Sequence, residues 1–92
     1  MIENFKHKGL KLLYDKGDRS KLRSDIAQKA ERFLTFLDAA HEVSELRLPG
    51  YGLHPLTGNL RGFWSVAVSR NHRIIFRFED GSALDVDLVD YH

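Results

Sequence analysis

From Phe63 onward the chain alternates apolar and polar side chains almost without a break, through FWSVAV, HRIIFRF and SALDVDLV. Period-two alternation describes strands with one buried and one open face. The polar interruptions, SRN and EDG, leave room only for tight hairpins. The stretch therefore predicts three antiparallel strands in a meander, closed by the polar end Asp90-Tyr91-His92.

Parity then limits the loops. Residues directly opposite in an antiparallel pair share a face, so Trp64, Val66 and Val68 belong with Ile74 and Phe76, and those with Leu84 and Val86. A two-residue loop at Asp80-Gly81 would set Phe76 opposite Asp85 and bury a carboxylate. A three-residue loop, Glu79-Asp80-Gly81, sets Phe78 opposite Ser82, Phe76 opposite Leu84 and Ile74 opposite Val86, with Gly81 left-handed. The same reasoning makes Ser69-Arg70-Asn71 a three-residue loop with Asn71 left-handed. On the second face this register sets Arg73 opposite Asp87 and beside the small Ala67. Taken alone, such a face is an exposed sheet surface with one cross-strand ion pair, worth roughly 0.2–1 kcal/mol.

Upstream, Ile2 and Phe5 anchor a short segment suited to the meander's edge. Lys8 to Lys16 reads as a helix with Leu10, Leu13 and Tyr14 on one stripe and Gly17 as its stop. Ser24 reads as the N-cap of a second helix reaching about Ala39, with Ile26, Ala30, Phe33, Leu34 and Leu37 as its apolar stripe. Glu42 to Gly50 is a bend with a short helical turn, and Pro49-Gly50 a turn. Tyr51 to Leu56 is extended, with Pro55 confining it to an edge, and Thr57-Gly58-Asn59 is a loop. The order β-α-α-β-β-β-β describes one α+β domain, residues 1–92, with an antiparallel sheet and two N-terminal helices packed on one face.

With 92 residues the chain supports one modest core. It has no cysteine, which removes disulfides and thiolate metal sites and fits a reducing compartment. No apolar run approaches a membrane span, and MIENFKHKG carries no signal-peptide h-region, so a cytoplasmic protein without membrane partners is expected. The net charge is +1, but seven of the basic residues fall between Lys6 and Arg23, and beyond residue 50 every Lys or Arg is an arginine: Arg61, Arg70, Arg73 and Arg77. Two basic zones on a near-neutral domain permit a polyanionic partner.

The five histidines, His7, His41, His54, His72 and His92, show no close-set ligand spacing, so no metal is expected. There is no glycine-rich phosphate loop and no nucleophile elbow. What remains is a set of parts suited to acid–base and phosphoryl chemistry. A histidine takes or gives a proton near neutral pH, an arginine stabilises charge on a phosphoryl group, and an aspartate holds a histidine in one tautomer. His54, Arg73, Asp90 and His92 are those parts. Each alone is as readily surface decoration.

The segments FKHKGL (Phe5 to Leu10), LHPL (Leu53 to Leu56), GFWSV (Gly62 to Val66), the pattern Asn71-x-Arg73-Ile74 and the terminal Val89-Asp90-Tyr91-His92 resemble the HigB toxins of the RelE/ParE superfamily. The resemblance covers essentially the whole chain. It implies a compact RelE-like, microbial-RNase-type α+β fold, and a toxin of a type II toxin–antitoxin system that cuts mRNA in the A site of the 70S ribosome. It also implies a HigA-like helix-turn-helix antitoxin as partner and no cofactor. Carried over by position, His54, Arg73, Asp90, Tyr91 and His92 form the catalytic set. His54 or His92 abstracts the 2′ proton or protonates the leaving oxygen, Asp90 orients one of them, Arg73 stabilises the phosphoryl transition state, and Tyr91 stacks on or hydrogen-bonds the nucleotide. Lys6, Lys8, Arg61, Arg70 and Arg77 are expected to meet RNA and ribosome. Thr57 departs from the pattern, since related toxins often carry a lysine there, and Arg61 is a cation close by in sequence. The antitoxin is expected on the outer side of the two helices. Two other readings keep parts of this picture. One is a same-fold inhibitor of gyrase or of ribosome assembly that cleaves no RNA, and the other is a binding module that only pairs with a regulator.

Overall fold

The structure, a computed structural model, describes residues 1–90. The expectations for Tyr91 and His92 lie outside the described residues. Two helices, α1 (Lys8–Lys16) and α2 (Ser24–Ala39), precede a four-stranded antiparallel sheet of β1 (His54–Pro55), β2 (Phe63–Ala67), β3 (His72–Glu79) and β4 (Ser82–Asp90), ordered β1-β2-β3-β4. The N-terminal segment adds to the outer edge of β4 through parallel bridges, Ile2 to Ala83 and Phe5 to Val86.

Helix α1 starts at a cap the sequence did not announce: His7 Nδ1 accepts from the Leu10 N–H at 3.2 Å. It stops where left-handed Gly17 (φ 66) returns its N–H to the Leu13 carbonyl at 2.9 Å. Leu10 and Leu13 are buried as expected, but Tyr14 stands at the rim and donates to Asp38 Oδ1 at 2.8 Å. Helix α2 buries the whole expected stripe, Ile26, Ala30, Phe33, Leu34 and Leu37. Its N-cap position falls to Arg23, whose guanidinium pairs with Asp25 at 2.7 Å; Ser24 is the first helical residue rather than the cap. The Phe33 ring lies 5.7 Å from Phe76 and 5.5 Å from Tyr51, tying α2 to the sheet through one aromatic cluster.

The β2–β3 register is the expected one, with Trp64 opposite Phe76, Val66 opposite Ile74 and Ala67 opposite Arg73. Residues 69–71 form the loop, closed by the Val68 N–H on the His72 carbonyl at 3.0 Å. Asn71 is not left-handed: among the described non-glycine residues only Asp80 (φ 51) and Asp85 (φ 53) are. The β3–β4 register differs from expectation. Asp80 and Gly81 (φ 78) make a two-residue loop of the left-handed kind that Asp-Gly favours, pairing Glu79 with Ser82 and Phe78 with Ala83. Continued unbroken, that register would bury Asp85, as parity requires. A bulge resolves the conflict between Ile75 and Arg77: left-handed Asp85 is turned out and Val86 takes the core position, fully buried. Beyond the bulge Ile75 faces Asp87, Ile74 faces Leu88 and Arg73 faces Val89, so Asp87 lies diagonal to Arg73 rather than opposite it.

Candidate active site

The sheet has one face against the helices and one open. Cross-strand pairs lay out the open face in rows. The central row runs His54 (β1), Ser65 (β2), Ile75 (β3), Asp87 (β4). Beside it, toward the β2–β3 loop, are Ala67, Arg73 and Val89. On its other side are Phe63 and Arg77, toward the β3–β4 turn. Ser65 and Ile75 are 2% and 6% exposed although neither belongs to the helix-side core. They make a water-poor floor between the polar ends of the row, where charge interactions act more strongly than in open water. Neither residue stood out in the sequence; alternation made Ile75 look like one more partly solvated strand position.

His54 is held at the edge of this floor by the turn before it. Left-handed Gly50 (φ 83) and Gly52 (φ 62) bracket Tyr51, whose ring enters the core and whose hydroxyl donates to the Lys29 carbonyl at 3.0 Å. The Tyr51 carbonyl accepts from the Ala67 N–H at 2.7 Å, docking the turn on β2. The exposed His54 ring then places Nδ1 at 3.0 Å from the Gly52 carbonyl. A carbonyl only accepts, so Nδ1 carries the proton, and in the neutral ring Nε2 holds the free lone pair. Arg73 is half-buried on the same face, two strand spacings across and two residues along from His54, about 12 Å between backbone positions. That gap sets an imidazole and a guanidinium apart on one face of the sheet.

Asp90 occupies the cross-strand position of His72, next to the Arg73–Val89 pair, and is exposed; strand alternation turns its Cβ to the other face. Arg70 is exposed in the loop at this same end. At the opposite end Arg61 is exposed and lines a shallow groove with Leu56, Thr57 and Gly58, so it stands beside the position where the family pattern has its lysine. Lys6 is exposed and its Nζ lies 5.9 Å from the centre of the Phe63 ring. Lys8 opens α1 and is exposed. Arg77 is engaged within the fold: Nη1 donates to Asp85 Oδ2 at 3.0 Å, and Nη2 donates to Glu79 Oε2. These partners raise the guanidinium pKa, Glu79 most, and share its charge. Asp85 is held below the usual aspartate range first by the Asn4 amide and then by Arg77.

A family model described as the RelE-like toxin of the type II toxin–antitoxin system HigB matches residues 3–92. The chain belongs to this family of HigB-like toxins. It is 44% identical over 92 residues to Endoribonuclease HigB of Proteus vulgaris, covering 100% of both chains. To Toxin HigB-1 of Vibrio cholerae serotype O1 it is 40% identical over 90 residues, covering 96% of this chain and 95% of that one. Among solved structures, YafQ of E. coli superposes with a TM-score of 0.61 at 20% identity, over 98% of this chain and 91% of that one. YoeB in the YoeB–YefM complex of Staphylococcus aureus does so with 0.61 at 16%, over 100% and 95%. The two helices on a four-stranded antiparallel sheet are thus the RelE-like fold the sequence implied. As a toxin of a type II system, this HigB-like chain has an antitoxin for a partner. Among the described residues no helix is long and apolar enough to cross a membrane.

Proposed function

We propose that this HigB-like toxin is a ribosome-dependent mRNA endonuclease. The message would be cut in the ribosomal A site, in the cytoplasm, and a HigA-like helix-turn-helix antitoxin would neutralise the toxin. The observation that carries this reading is the open sheet face, where His54 offers Nε2 across a water-poor floor from Arg73. In the cleavage step the 2′-hydroxyl gives its proton to a base and its oxygen bonds to the adjacent phosphorus. The P–O5′ bond breaks, and the leaving oxygen takes a proton from an acid. The products are a 2′,3′-cyclic phosphate, which can open to a 3′-phosphate, and a 5′-hydroxyl. His54 fills one proton-transfer role through Nε2, and His92 the other. Arg73 pairs with the equatorial oxygens as charge accumulates. Asp90, whose Cβ lies on the face away from His54, orients His92, and Tyr91 stacks on or hydrogen-bonds the nucleotide. Arg70 near Arg73, and Lys6 with Arg61 at the other end of the face, steer the backbone.

The test is message cleavage in a reconstituted translation reaction, mapped by primer extension with and without ribosomes. Cuts that need ribosomes and fall roughly 100- to 1,000-fold in Arg73→Ala are expected, with a comparable loss in His92→Ala. A loss below about tenfold in Arg73→Ala would remove its role. Cuts without ribosomes would mean a free ribonuclease. Arrested growth with no cuts would mean an inhibitor of gyrase or of ribosome assembly.

A further inference from the structure

We propose that Phe63 is the seat of a nucleobase, that of a message nucleotide flanking the scissile phosphate, with the Lys6 ammonium covering the ring until RNA arrives. The proposal rests on the endonuclease reading and adds a subsite to it. Phe63 lies on the open face two residues before Ser65, and Ser65 pairs with His54. Its side chain is therefore diagonal to His54 across the β1–β2 pair, a separation of roughly 7–8 Å between backbone positions and within reach of an aromatic ring. A nucleotide whose ribose meets His54 Nε2 brings a base, its own or its neighbour's, over this ring.

Phe63 is half-buried, yet among the described residues it joins neither the helix-side core nor an aromatic pair. The ring contact it does make is with Lys6, at 5.9 Å from ring centre to Nζ. A phenylalanine on a strand face among cations is the arrangement by which sheets hold single-stranded RNA, with stacking on the ring and phosphate on the cations. The neighbouring Arg77 is fixed by Glu79 and Asp85, so the wall beside the ring is rigid and its charge is already shared. Lys6 is exposed on a flexible stem and can move from the ring to a phosphate when the base takes its place. A base on an aromatic ring contributes roughly 5- to 150-fold in affinity, more than an exposed ammonium gives up by leaving it.

The experiment measures cleavage kinetics on programmed ribosomes for wild type, Phe63→Leu and Phe63→Tyr, with messages intact or abasic at each nucleotide flanking the cut. Leucine keeps apolar bulk and loses the π-face; tyrosine keeps the face. Phe63→Leu should raise KM roughly 5- to 150-fold with kcat nearly unchanged, and Phe63→Tyr should behave as wild type. One abasic position should cost wild type the same factor and cost Phe63→Leu nothing further. Equal abasic losses in wild type and Phe63→Leu would overturn the seat, as would a fall in kcat with KM unchanged. If wild type cuts nothing, the endonuclease reading fails on its own. The seat is then read by quenching of 2-aminopurine placed in the A-site codon, and quenching that is absent, or equal in Phe63→Leu, rejects it.

Discussion

At the scale of single residues, backbone carbonyls and neighbouring carboxylates set what the side chains can do. The Gly52 carbonyl fixes the His54 tautomer, with the proton on Nδ1 and the lone pair on Nε2. His54→Ala should therefore cut cleavage by roughly 100- to 10,000-fold with the fold intact; a variant that keeps more than a tenth of the wild-type rate in a ribosome-programmed assay would transfer proton transfer elsewhere. Asp85 shows the opposite dependence, a charge held by partners. Its carboxylate accepts from Asn4 Nδ2 at 2.8 Å and from Arg77 Nη1 at 3.0 Å, and both favour the ionised form. A folded-state pKa below the ordinary 3.8 means that the ionised group adds stability above that value and loses it as pH falls through the depressed one. Asp85→Asn keeps a side chain that tolerates the left-handed backbone and removes the charge. Its melting temperature should lie below wild type at neutral pH, and the gap should close as pH drops below the ordinary aspartate range. A gap that stays constant into strong acid would show that shape, not charge, is what Asp85 contributes.

Among the elements, the two hairpins separate what the sequence tells from what it withholds. Parity alone solved β2–β3, because no polar residue there conflicts with an unbroken ladder, and Arg73 was placed beside Ala67 correctly. At β3–β4 parity has two solutions, a longer loop or a bulge, and both keep Asp85 out of the core. The choice depends on Asn4, 81 residues away, whose Oδ1 accepts the Asp85 N–H at 3.0 Å and supplies the bulged residue with a partner. No local pattern carries that information, so the diagonal placing of Asp87 is not legible in the sequence, whereas the Ser65–Ile75 pairing follows from the β2–β3 parity. Helix α1 hides a similar dependence. A Cβ on Gly9 would meet His7 Cε1 at 2.9 Å and Leu22 Cδ2 at 3.2 Å, so the glycine makes room for the capping ring. Alanine is the better helix former by roughly 1 kcal/mol, yet Gly9→Ala displaces the His7 cap, worth about 1 kcal/mol, and presses on Leu22. The expected sign is destabilisation by about 0.5–1.5 kcal/mol in chemical denaturation. A variant as stable as wild type or more so would show that propensity outweighs the cap.

For the molecule as a whole, the deciding quantity is how little charge the open face can bring to RNA. The net charge is +1, and the lysines of α1 lie outside the sheet, with Lys11 already paired to Asp15 at 2.6 Å. Arg77 is shared between Glu79 and Asp85. Lys6, Arg61, Arg70 and Arg73 are the cations this face presents to a phosphate backbone. Each phosphate contact to a single strand contributes about −0.7 to the slope of log affinity against log salt, so four contacts give about −3. Such a surface holds free RNA weakly at physiological salt, and a toxin acting on messages through it needs them presented by another body. In the proposed mechanism the ribosome would do that, fixing the codon and lowering the entropic cost of bringing the 2′-hydroxyl, His54 and Arg73 together. Binding of a short single-stranded RNA, titrated at several salt concentrations, should therefore be weak with a slope no steeper than about −3, while cleavage of the same sequence in the A site proceeds. A slope steeper than about −5 would bring the helix lysines into the RNA surface. The message would then wrap around the side where the antitoxin is expected, and antitoxin and RNA would compete for one face instead of occupying two.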